Sequence, residues 1–353
     1  MILAMKSIVA TTLYVLEITF LIISCASWIC ANDSAASTSA GGIRLVREAH
    51  VSMETERLTI SEKKVTVEYE FLNTTDADIT TEVAFPVPPF ELALMDAGGP
   101  RGFEDFRLWI DGKQVQYETD ARATLNGVDY TSLLHNLGVD VSSFGHLDDH
   151  DLDKPVALDI QKLSRLAQAR LKWIGLIDRD DKLPCWSVAK TYYWKQTFPA
   201  HKQVHVRHEY GPVIGFALFN ARDMDPAYRK QRTAAVKKDE NGIWDYDVSL
   251  AKQIDSACID PGLQKTLTSA TQKHGYVSMA WIDYILTTAN SWKTPIKDFE
   301  MVLEKFKSKD GDSSYLSLCW DGPIERVDPE HFKIKVSNFV PSKDLHVAYF
   351  VWH

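Results

Sequence analysis

Cysteine is scarce: five in 353 residues, with no Cys-x-x-Cys pair and no cysteine–histidine spacing of a zinc site. No Gly-x-Ser-x-Gly elbow or other nucleophile motif occurs, so no hydrolase can be read from a motif. Positive charge is also short. With 39 Lys and Arg against 48 Asp and Glu, the chain carries −9 at pH 7. That argues against a nucleic-acid surface, which would need a basic face, and gives no net attraction to anionic lipid. Nothing in the residues implies a cofactor.

What is present is ordinary for a soluble globular protein: 45% hydrophobic and 25% charged residues, enough for one large or two ordinary domains. The first thirty residues differ. Lys6 is a thin positive region, Ile8–Ile29 is mostly apolar, and small residues follow from Ala31 to Gly42. This reads as a signal peptide over residues 1–31 cleaved near Ala31, although Ile29 is larger than the small-x-small pattern prefers. Export to the periplasm or secretion follows from that reading. Two alternatives stay open. Residues 8–29 are nearly long enough to remain as a membrane anchor, with Glu17 costing roughly 2–3 kcal/mol near its centre. Ile22-Ile23-Ser24-Cys25 is also a loose lipoprotein box, with Cys25 as the lipidated residue.

Beyond the leader, two alternating stretches organise the chain. Val65, Val67, Tyr69 and Phe71 alternate with polar residues; Asn73–Asp78 supplies turn chemistry; Ile79, Thr81, Val83 and Phe85 resume the alternation until Pro86. We expect a half-buried antiparallel hairpin. A second hairpin is expected over Phe103–Tyr117, because Asp111-Gly112 separates two alternating runs and both turn positions favour positive φ. Tyr130–Leu137 reads as a short helix ended by Gly138. Val156, Ile160, Leu163, Ala167, Leu171 and Ile174 then recur at helical spacing, with Asp153 as the expected N-cap.

Strands return at Trp186–Phe198, Val204–Tyr210 and Val213–Phe219, and Arg222–Asn241 reads as a charged surface loop. A short helix is expected after Pro261. Strands follow at Met279–Thr288, Phe299–Phe306, Tyr315–Trp320, Phe332–Val336 and Leu345–Trp352. About eleven strands with short turns point to a mainly β fold, an antiparallel β-sandwich or two sandwich-like halves. The regions are 32–128 (N-terminal β), 129–182 (a helical insertion) and 183–353 (β-rich C-terminal).

Each candidate site has a plainer reading beside it. His146, Asp148, Asp149, His150, Asp151 and Asp153 are the densest set of possible metal ligands. Acidic residues before a helix N-terminus are equally explained by the helix dipole, and no metal is assigned. Asp310-Gly311-Asp312 is too short of oxygens for calcium and reads as a turn. His208 shares a strand face with Val204, Val206 and Tyr210, the pattern of a packed histidine. Tyr192, Trp194, His208, Tyr210 and Trp292 are weak candidates for an aromatic binding platform; aromatic residues favour strands for packing alone. The sequon at Asn73 would matter only in a eukaryotic secretory route. Of the three cysteines beyond the leader, an exported chain would pair two and leave one free.

Several of these stretches also carry a resemblance. Gly41-Gly42-Ile43, VEYEFLNTTDADITTEVAFPVP (67–88), TYYWKQTFPA (191–200), VHVRHEYGPVIG (204–215), ILTTANSWKTPIKDF (285–299) and NFVPSKDLHV (338–347) resemble, in order, the bacterial exported domain-of-unknown-function family numbered four-four-two-four. The resemblance covers essentially the whole chain after the leader. It implies compartment and fold and supplies no reaction. It also implies that Cys258 pairs with Cys319, and it leaves the role of Cys185 open. The resulting expectation is an exported envelope protein, a non-catalytic binding or structural module with an unknown envelope component or ligand as partner. The alternative is an envelope hydrolase whose site is dispersed over residues such as His208, His146 and His150.

Overall fold

A computed structural model describes residues 34–39, 42–91, 104–141, 159–177, 184–236, 246–307 and 314–352. All of them fall in one contact unit, Ala31–His353. The leader, the acidic stretch 146–153, Val156 and Asp310-Gly311-Asp312 lie outside the described residues.

The chain begins with β1 (Ser34–Ser39), β2 (Gly42–Leu45), β3 (Val51–Ile60), β4 (Val65–Asn73), β5 (Ile79–Pro86) and β6 (Phe90–Glu91). Next come β7 (Glu104–Ile110), β8 (Lys113–Val115), β9 (Glu118–Leu125) and β10 (Val128–Asp129), then helices α1 (Thr131–Asn136) and α2 (Arg165–Ile174). Strands β11 (Ser187–Phe198), β12 (Gln203–Gly211) and β13 (Gly215–Phe219) precede helices α3 (Pro226–Val236), α4 (Tyr246–Ser256) and α5 (Pro261–His274). The remainder is β14 (Val277–Tyr284), β15 (Ile296–Glu304), β16 (Tyr315–Leu318), β17 (Glu325–Arg326), β18 (His331–Phe339) and β19 (Leu345–Val351).

The strands form three sheets. The first has the order β10-β9-β11-β5-β1-β2, with β6 also on β11; the second is β17-β18-β15-β3-β4-β12-β7-β8; the third is β13-β14-β19-β16. The fold is mainly β, as the alternation implies. Among the described residues pairing is antiparallel except where β15 runs parallel to β3.

The stretch 65–86 departs from expectation in an instructive way. Both strands form where the alternation places them, and β4 buries every second residue from Val65 to Asn73. Yet they do not pair. β4 lies between β3 and β12 in the second sheet, and β5 between β11 and β1 in the first. The connection arches from sheet to sheet. Asn73 holds it, its buried amide donating to the Ala77 and Phe198 carbonyls at 2.8 Å each. Alternation reports which face of a strand is buried, and two such faces can meet across a core as readily as side by side. The Asp111-Gly112 hairpin, in contrast, forms as expected: β7 pairs β8, and both turn residues have positive φ.

The first and second sheets pack face to face. Phe71 and Phe198 meet across the gap at 5.7 Å, and Phe106 stacks on Tyr192 at 4.0 Å. The third sheet lies beside the first, against the same large sheet: Tyr69 meets Tyr284 hydroxyl to hydroxyl at 3.2 Å, and Phe306 stacks on Tyr349 at 3.8 Å. Its far face carries Phe219, Met279, Trp281 and Phe350 and is covered by Leu250 and Ile254 of α4 and Leu263 and Leu267 of α5. Strands of residues 183–353 are interior to both N-terminal sheets, β11 between β9 and β5 and β12 between β4 and β7. The regions 32–128 and 183–353 therefore interleave.

Two helical expectations change. The 222–241 loop contains α3, where Asp225 accepts from the Ala227 amide. Its few apolar positions leave little periodicity to read. Helix α4 is an element the sequence reading does not contain, although Leu250, Ala251 and Ile254 bury one face of it. The helix expected from 156 to 174 breaks at Leu163-Ser164: residues 159–162 are helical, and α2 starts afresh with Ser164 accepting from the Ala167 amide at 3.2 Å. The helix after Pro261 is α5, capped by Asp260. Among the described residues no helix is long and apolar enough to cross a membrane.

Candidate functional site

The five platform candidates are all interior. Tyr192, Trp194, His208, Tyr210 and Trp292 range from 0% to 6% exposed. His208 is ringed by Phe85 at 4.2 Å and by Tyr69 and Phe106 at 5.5 Å each. Trp292 closes the end of the sandwich against Phe71 at 4.5 Å. Burial raises the pKa of the Tyr192 and Tyr210 phenols, so both stay neutral hydrogen-bonding groups. A platform needs open ring faces; these side chains are buried, Tyr192 against Phe106, Tyr210 against Phe85 and Trp292 against Phe71 and Phe198. Alternation gave Tyr192 and Trp194 a common face on β11, and His208 and Tyr210 a common face on β12, and both faces point inward; Trp292 follows the turn Thr287–Ser291 and lies on no strand.

The opposite face of the second sheet is open and charged. Lys335, Glu300, Arg57, Glu68, Arg207 and Trp109 stand directly opposite one another on β18, β15, β3, β4, β12 and β7. Positive and negative side chains alternate along this row until Arg207, whose guanidinium lies over the Trp109 ring at 5.0 Å. Glu300 takes Lys333 at 2.7 Å and Lys335 at 3.1 Å. Partial burial pushes the Glu300 pKa up, and the hydrogen bonds from both lysines more than offset that, holding it below the usual range. Exposed pairs of this kind each contribute at most about 1 kcal/mol.

One residue on this face differs. The Glu209 side chain is only 8% exposed, and three cations converge on it: Arg207 at 3.0 Å, Lys64 at 3.2 Å and Arg107 at 3.3 Å. Those cations remain 36%, 49% and 49% exposed. The register explains the convergence, because Glu209 on β12 stands opposite Arg107 on β7 and next to Arg207 on its own strand. Counting Glu68, which holds Arg207 at 3.4 Å, the five groups carry one net positive charge. A buried carboxylate thus fixes the heads of three cations whose side chains stay partly exposed. No sequence motif marks this cluster, which joins Lys64 just before β4, Glu68 on β4, Arg107 on β7, and Arg207 and Glu209 on β12.

A second polar arrangement lies on the third sheet. The carboxylate of Asp283 on β14 meets His346 Nδ1 on β19 at 2.7 Å, and the two are directly opposite in register. His346 is mostly buried, and its Nε2 has no hydrogen-bond partner among the described residues. Two positions along, β16 and β19 pair Ser317 with Ala348, and the chain then reaches Cys319. Cys258 and Cys319 form the disulfide the resemblance implies, with Cα atoms 5.1 Å apart, and it ties the residues just before α5 to the end of β16. Cys185 lies outside that disulfide and is half-buried. Among the described residues no cluster of three or more His, Cys, Asp or Glu could hold a metal.

No curated protein matches the chain. Among solved structures, one from Legionella pneumophila subsp. pneumophila, described as a "putative nutrient binding protein", aligns with a TM-score of 0.39 and 14% identity, over 92% of this chain and 72% of that one. The family comparison is far more extensive: residues 31–348 match the Domain of unknown function (DUF4424), and the chain belongs to that family.

Proposed function

We propose that this protein is an exported, non-catalytic binding module of the cell envelope that takes an anionic ligand on the open face of its large sheet. The observation that carries the proposal is Glu209, a buried carboxylate that organises Lys64, Arg107 and Arg207 on a face otherwise made of self-neutralising pairs. A carboxylate, sulfate or phosphate group placed between Arg107 and Lys64 would meet preset donors with little side-chain entropy left to lose. The Trp109 ring under Arg207 adds a flat apolar surface beside the charge. Export is supported by the leader pattern around Lys6 and Ile8–Ile29 together with the Cys258–Cys319 pair, which persists in an oxidising compartment.

The test is thermal shift against inorganic phosphate, sulfate, dicarboxylates and uronic-acid oligosaccharides. We expect at least one anion to raise Tm in the native chain and to lose that effect in Lys64→Gln/Arg107→Gln. If no anion stabilises the protein, or the double variant responds equally, the proposal fails. Intact mass from the envelope fraction of the native host tests export: a mass starting at Asn32 supports cleavage, and a retained leader or acylated Cys25 assigns membrane attachment.

A second reading, an envelope hydrolase, draws on the Asp283–His346 pair alone. That pair has the orienting acid and base of a hydrolytic site, but no nucleophile lies within hydrogen-bond distance of His346 Nε2 among the described residues. His208 is enclosed by aromatic rings, and His146 and His150 fall outside the described residues. Hydrolysis of generic ester substrates that disappears in His346→Ala would favour this reading over the first.

A further inference from the structure

Helix α2 turns two large apolar side chains to solvent: Leu166 is 82% exposed and Trp173 88%. No other exposed large hydrophobic among the described residues passes 57%. Seven residues separate the two, nearly two full turns, so they share one face about 10 Å apart. The other face is already used, with Leu171 buried and Ile174 packed on the main core. Helix geometry alone gives no reason for a leucine and a tryptophan on the outer side, where each exposes apolar surface that a partner would cover.

The same ten residues indicate the partner. RLAQARLKWI contains Arg165, Arg170 and Lys172 and no acid, within a chain of net charge −9. Arg165 and Arg170 are exposed, and Arg170 lies beside Leu166 and Trp173 on the helical wheel. We propose that this face docks on an anionic phospholipid surface, with Leu166 and Trp173 entering the headgroup layer and the arginines meeting lipid phosphates. Tryptophan is suited to that depth, where its ring is buried and its N–H stays wet. Two separated side chains on a convex helix fall well short of the roughly 1,000 Å² that a specific protein interface buries. A lipid surface requires only a few apolar anchors and local positive charge. Net charge therefore misleads here: the repulsion it implies is global, whereas the contact is local and screened beyond about 10 Å.

Flotation of the compact unit Ala31–His353 with vesicles tests this, since that unit carries every described element and omits the apolar leader. The unit should float with phosphatidylcholine vesicles enriched in phosphatidylglycerol, should stay behind with phosphatidylcholine alone, and should release at high salt. Leu166→Ser/Trp173→Ser should weaken binding at least about tenfold, and Arg165→Gln and Arg170→Gln each by about fivefold. All four positions are exposed, so an unchanged Tm verifies that the variants fold. The proposal is overturned if the unit does not float with the anionic vesicles, floats equally with the neutral ones, or floats undiminished as the serine variant. Self-association abolished by Trp173→Ser in the absence of flotation would likewise overturn it and assign the face to a second copy of the chain.

Discussion

Phe106 lies flat on Tyr192, ring centroids 4.0 Å apart and planes 3° from parallel, and the two side chains come from different sheets. Phe106 belongs to β7 of the open-faced sheet and Tyr192 to β11 of its partner, and both are almost fully buried. The contact therefore reports directly on whether the two sheets are docked. Phe106→Ala should lower unfolding free energy by about 3–5 kcal/mol. A double-mutant cycle with Tyr192→Leu should leave a coupling of about 0.5–1.5 kcal/mol. Chemical denaturation checks both, and additive losses would mean that the stacking contributes nothing beyond burial.

Gly215 gives a sharper steric test. A Cβ there would fall within the Trp281 ring, which crosses β13 from the paired strand β14. Gly215→Ala should cost about 1–3 kcal/mol or more, because a packed indole cannot give way. Adding Trp281→Leu should recover part of the loss. If Gly215→Ala alone melts like the native chain, the close approach is wrong.

The disulfide spans 61 residues of sequence. Loop-closure entropy sets its contribution near roughly 4 kcal/mol. Cys258→Ala/Cys319→Ala should lower Tm by many degrees and remove the effect of reductant on the melt, whereas Cys185→Ala should leave that effect intact. In the chain cleaved near Ala31, thiol labelling should find one reactive cysteine among the remaining three before reduction and all three after it.

Alkali should unfold the protein over a defined range. The hydrogen bond from the Tyr193 hydroxyl to Glu118, at 2.8 Å, raises that phenol from 10.0 to about 12. Burial raises Tyr192, Tyr210 and Tyr349 as well. A pKa raised by folding means that the native state favours the protonated phenol. The stability from these groups is complete below pH 10, the unfolded value, and falls as pH climbs through the folded values. Tyr193→Phe should remove one ionisation near pH 12 from the absorbance titration and flatten the loss of stability above pH 10. A titration showing all tyrosines ionising together at 10 would refute the assignment.

Much of the architecture was legible from residue order. Alternation located β4, β5, β11, β12 and β19 within a residue or two, Asp111-Gly112 located a true hairpin, and Pro261 located a helix start. Legibility failed where the signal was weak or ambiguous. α3 buries none of the side chains described on it, so its apolar periodicity is faint, whereas α4 was missed although Leu250, Ala251 and Ile254 bury one face of it. For Tyr192 with Trp194 and for His208 with Tyr210 the shared strand face was readable, but whether that face met solvent or another sheet was not.

Local chemistry and period thus determined the mainly β class, the leader pattern, the strand positions and, through resemblance, the cysteine pair. Tertiary structure alone decided that β4 and β5 sit in opposing sheets, that β15 runs parallel to β3, and that Glu209 gathers Lys64, Arg107 and Arg207. The reason is physical. A strand's period states only which side is apolar, and its neighbours are chosen by long-range burial and register, which join residues as distant in sequence as Lys64 and Glu209.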